Sequence, residues 1–107
     1  MKHKTTIMGH QITYRTWTYG MKQHALRNAT TWTRDAAGLQ PDVDPWRLND
    51  LMLTQCITEW DLMDEAGEPL PITEESLHNI EPPELVEALI AYCQLINGVS
   101  GEERKKS

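Results

Sequence analysis

A chain of 107 residues that is 39% hydrophobic suits one small domain with a modest core, and residues 1–100 are expected to form it. The longest strongly apolar segment, Leu85 to Ile96, is interrupted by Glu87 and too short to span a bilayer, and MKHKTTIMGHQ at the start has no apolar signal core. Membrane and secreted classes are thereby set aside, and a soluble cytoplasmic protein is expected.

The net charge of −6 hides an asymmetry. Lys2, Lys4, Arg15, Lys22, Arg27 and Arg34 face no acid within residues 1–34, whereas residues 35–100 hold fourteen acids and the single base Arg47. Such a split fits halves that complement one another within or between subunits, or a nucleic-acid surface on the basic part. The bases are dispersed and the acidic remainder repels a phosphate backbone, which favours the first reading.

Thr5 to Tyr19 is rich in β-branched and aromatic residues around Gly9-His10, which reads as a short hairpin with Ile12 and Tyr14 on one face. Thr18 then suits the N-cap of a helix reaching about Thr30, with Met21, Ala25, Leu26 and Ala29 inward. Residues 31–43 contain Gly38 and Pro41 and lack a sustained period, so they are expected as a loop with at most a brief strand at Thr31–Thr33.

Asp44 can accept the free first-turn amides of a helix in which Pro45 takes the first position. Leu53, Cys56, Ile57 and Trp60 continue at helical spacing, so this helix is expected to run to Trp60. DLMDEAGEPLP follows, in which Asp64 and Gly67 suit a tight turn and Pro69 and Pro71 exclude a central strand. Thr73 caps a short helix, EESLHNI, and Pro82-Pro83 begins the last. There Leu85, Leu89, Tyr92, Cys93 and Ile96 form the cleanest amphipathic pattern, with Gly98 as the stop. Residues 101–107 are expected as a polar flexible tail.

The fold class expected from these elements is α+β, mainly α, with a short N-terminal β-hairpin packed on three or four helices. Leu53, Cys56, Ile57, Trp60, Leu85, Leu89, Cys93 and Ile96 should build the core. Cys56 and Cys93 lack CxxC spacing and lie on apolar faces, which fits reduced core thiols. His3, His10, His24 and His78 fall in different elements without HxxxH or HExxH spacing, and no phosphate loop or nucleophile elbow is present. No catalytic, cofactor or metal site is expected. Four Trp and three Tyr with no Phe give aromatic surface with polar tips, suited to core edges and interfaces. Trp46 and Trp60 are expected to complete the core, and Trp17, Tyr19 and Trp32 are the candidate partner-binding residues.

Taken together, the basic ITYRTWTYG opening, the apolar helix ending CITEWDL, the run DEAGEPLPITEESLHNI and the closing LVEALIAYCQLIN resemble a tail assembly chaperone of long-tailed bacteriophages or prophages. The most specific part is W-D-L-x-D-x-x-G-x-P-L-P-x-T-x-E-x-L, from Trp60 to Leu77. The resemblance implies a non-enzymatic factor of the bacterial host cytoplasm. Such a factor binds the tape-measure and tail-tube proteins during tail morphogenesis and is absent from the finished particle. Two other readings stay open: a small structural tail or neck protein of the virion that self-associates, and a small nucleic-acid-binding regulator.

Overall fold

In the computed structural model, residues 2–98 are described, and the expected polar tail at 101–107 lies outside them. Among the described residues, five strands are interspersed with four helices. In order they are β1 (Lys2–Ile7), β2 (His10–Arg15), α1 (Tyr19–Ala29), β3 (Thr30–Asp35), β4 (Gly38–Val43), α2 (Pro45–Cys56), β5 (Ile57–Trp60), α3 (Glu74–His78) and α4 (Pro83–Ile96). This overturns the expected mainly helical class with a single N-terminal hairpin. Strands recur through the chain and form a three-stranded sheet of order β1-β2-β5 and a separate β3-β4 ribbon.

An N-terminal hairpin forms, but over Lys2–Arg15 instead of Thr5–Tyr19 and turning at Met8-Gly9 instead of Gly9-His10; both turn residues take positive φ in a two-residue connection that matches the strand twist. The first departure is at the end of α2. Ile57 to Trp60 leaves the helix and pairs antiparallel with β2, Ile12 facing Trp60 and Tyr14 facing Ile57. The register shifts between those pairs, leaving Thr58 as a bulge whose hydroxyl donates to the Thr13 carbonyl at 3.3 Å. An inserted residue lets two side chains three apart face the same side of a sheet. Ile57 and Trp60 thus reach the core from a strand while keeping helix-like spacing.

The second departure is residues 30–43, expected as a loop and found as a regular hairpin. The Asp44 amide donates to the Ala29 carbonyl at 2.8 Å, which sets the phase of the ladder. By alternation Trp32 and Pro41 then form a non-hydrogen-bonded pair, where strand amides point away from the partner. Pro41 therefore sits where its missing N–H costs no ladder bond. Gly38 supplies the positive φ at the turn, and the Asp35 carboxylate accepts the Ala37 amide at 2.8 Å.

The core lies between the inner face of the three-stranded sheet and helices α2 and α4. Ile12, Tyr14, Leu53, Cys56, Leu85, Leu89 and Cys93 are fully enclosed there, with Trp60 and Ile96 half-buried at its margin. Tyr14 braces sheet to helix: its hydroxyl donates to the Leu89 carbonyl at 2.9 Å, and its ring meets Tyr92 at a centroid distance of 5.0 Å and a tilt of 48°. A second, smaller cluster of Ala25, Ala29 and Leu51 joins α1 to α2. Both cysteines are free and buried. The Cys93 thiol is pushed well above its ordinary range by its hydrogen bond to Cys56 and by burial. Among the described residues, no helix is long and apolar enough to cross a membrane.

Candidate functional site

The expected signature from Trp60 to Leu77 folds as one structural unit. The Trp60 indole N–H donates to the Leu70 carbonyl at 2.7 Å, and the Leu70 amide returns to the Leu62 carbonyl at 3.0 Å. Asp61 receives the Gln11 amide and the His10 ring, each at 3.0 Å, tying the end of β5 to the N-terminal hairpin. These hydrogen bonds, the Gln11 amide first, hold the Asp61 carboxyl below its ordinary range. Asp64 accepts the amides of Ala66 and Glu68, Gly67 takes a positive φ, and the Thr73 hydroxyl accepts the Ser76 amide to cap α3. The motif thus builds a turn and a cap.

The three expected partner-binding residues do not converge. Trp17 is half-buried between the two clusters, its indole N–H donating to Gln55 at 2.8 Å and its amide to the Asn97 side chain at 2.6 Å. Tyr19 is 77% exposed and Trp32 61% exposed. They stand at opposite ends of α1, whose eleven residues span about 16 Å.

Two unpartnered apolar surfaces are more informative. One is a groove of about 290 Å³ between the start of α2, the end of α3 and α4, floored by Ile80, Val86 and Ile90 and flanked by Trp46. Trp46, expected in the core, is 77% exposed, because the first turn of α2 packs it into neither hydrophobic cluster. Acids rim this groove. Asp50 binds the His78 ring at 2.7 Å and, through that hydrogen bond and its charge, raises the imidazole pKa, while Glu87 has no ion-pair partner among the described residues. Arg47 pairs with Glu74 at 3.7 Å nearby.

The other surface is the β3-β4 arm, whose register sorts its side chains by face. Trp32, Pro41, Leu39 and Val43 share one face with Arg34, while Thr31, Thr33, Gln40 and Asp42 share the opposite one. Trp32, Leu39 and Val43 are all exposed. An isolated two-stranded ribbon is marginal in water, so an arm sorted this way has an apolar face awaiting cover.

The period of α4 by itself assigns one apolar stripe to the core and does not delimit the groove. Val86 and Ile90 widen that stripe beyond Leu85, Leu89 and Cys93, and that excess width was the available signal. The outer face of the three-stranded sheet carries Lys2 and Lys4 along β1 and Arg15 across from Lys2 on β2, beside a polar cleft of about 490 Å³ reaching Glu59 and Asp61. The histidines sit apart: His10 on Asp61, His78 on Asp50, His24 on Asn28, and His3 on β1. No family model matches the chain, and neither curated proteins nor solved structures yield a match.

Proposed function

We propose that the protein is a tail assembly chaperone of a long-tailed bacteriophage or prophage, acting without catalysis in the host cytoplasm and holding tape-measure and tail-tube proteins until the tube polymerises. The observation that supports this reading most is the groove around Trp46, Val86 and Ile90: an open apolar surface on an acidic body. Such a groove fits the apolar stripe of an amphipathic client helix whose flanking bases meet Asp50 and Glu87. The chain's net charge of −6 then keeps a sticky client dispersed.

A second reading, a structural tail or neck subunit, is favoured by the exposed apolar face of the β3-β4 arm, since such a patch marks a protein–protein contact surface. Mass spectrometry of purified virions separates the two. Absence of the chain from finished particles that require its gene supports the chaperone, and recovery at stoichiometric levels establishes the structural subunit instead.

A further inference from the structure

We infer that the protein self-associates by arm exchange: the apolar face of the β3-β4 arm of one copy docks in the α2–α3–α4 groove of a second copy, and reciprocally. The occupant is argued from charge, geometry and connectivity. The arm's apolar face carries Arg34 as its only charged residue, and the groove's rim carries Glu87, while Asp50 beside it is already engaged by His78. Neither Arg34 nor Glu87 has an ion-pair partner among the described residues, so each is available to the other across an interface.

The arm ends at Val43 and the groove begins at Trp46, two residues into α2. Two copies related by a two-fold axis beside the start of α2 would each place an arm in the partner's groove. Both contacts then close on themselves, giving a dimer and no open filament. A ribbon of six-residue strands is about 20 Å long, so each contact is small. A client helix entering the same groove would have to displace the partner's arm.

The experiment uses the full chain alone, so it stands or falls independently of the client reading. Sedimentation equilibrium from about 1 to 500 μM, spanning the range for a small interface, should show a monomer–dimer equilibrium for the wild type. Trp32→Ser on the arm and Val86→Asp in the groove should each weaken it at least tenfold. An equimolar mixture of the two variants should regain association, because one intact arm then meets one intact groove. Arg34→Glu and Glu87→Arg, both on exposed residues that do not support the core, should each weaken the dimer, and the double variant should restore it. A wild type that stays monomeric across the range overturns the proposal. So does a mixture of folded variants no more associated than either alone, or a charge-swapped double no tighter than its parents.

Discussion

Replacing Tyr14 by Phe tests the brace on which the packing of sheet against α4 depends. The ring remains and keeps its contact with Tyr92, so what is lost is the hydroxyl and its 2.9 Å bond to the Leu89 carbonyl. That carbonyl lies inside α4 and retains the helical amide of Cys93, so no acceptor is orphaned. The expected cost is therefore the net worth of one buried hydrogen bond, about 1 kcal/mol. For a domain of this size that lowers Tm by about 4–8 °C. Tyr14→Leu also removes the ring pair and leaves a void, and should cost about 2–4 kcal/mol. There is a signature in pH as well. Burial raises the Tyr14 phenol above its ordinary value of 10.0, so the folded state keeps a proton that the unfolded chain releases. Its contribution is complete below that ordinary value and is lost as pH rises beyond it; Tyr14→Phe should remove this part of the alkaline destabilisation. Denaturant unfolding monitored by circular dichroism reads all three quantities. Both variants within about 0.5 kcal/mol of wild type, the ordinary range for surface changes, would show that Tyr14 does not join the sheet to α4.

Trp17→Ala should destabilise the fold by about 2–4 kcal/mol, a half-buried share of the cost of truncating a core Trp, because the ring bridges both clusters and binds Gln55. Trp32→Ala, on the exposed arm, should leave the unfolding free energy within about 0.5 kcal/mol of wild type. Equal losses in both would place Trp32 in the core as well. His78 should titrate above its ordinary value by proton NMR and return toward it in Asp50→Asn. Since its pKa is raised in the folded state, the tie between α3 and α2 is fully present below the unfolded value of 6.5 and is lost as pH rises through the folded one. An unchanged His78 titration in Asp50→Asn would remove that tie.

What the sequence made legible is what local chemistry determines. Thr18, Asp44 and Thr73 cap α1, α2 and α3, each accepting first-turn amides as their side chains allow. The buried stripe of Leu85, Leu89 and Cys93 on α4 follows directly from its period. What remained hidden depends on partners distant in the chain. Ile57 and Trp60 satisfy a helical spacing and, with a bulge at Thr58, also a strand that pairs with residues more than forty positions earlier; only the presence of β2 decides between them. Pro41 reads as a strand breaker until the phase of the ladder turns its nitrogen outward. Amphipathic character alone suits an aromatic residue to core edge or surface and cannot say that Trp17 falls between two clusters while Trp46 lies beyond both.

The measurement that bears most directly on the proposed assembly-chaperone reading is the solubility of a tape-measure protein encoded in the same gene neighbourhood, expressed with and without this chain. The tape-measure protein should be recovered in the soluble fraction and co-purify with the wild type. With a Val86→Asp variant shown to be folded it should be lost to the pellet if the proposed reading is right, because a charge then stands in the apolar floor proposed to take the client helix. A tape-measure protein equally soluble without the chain, or equally held by the variant, would contradict client capture through this groove.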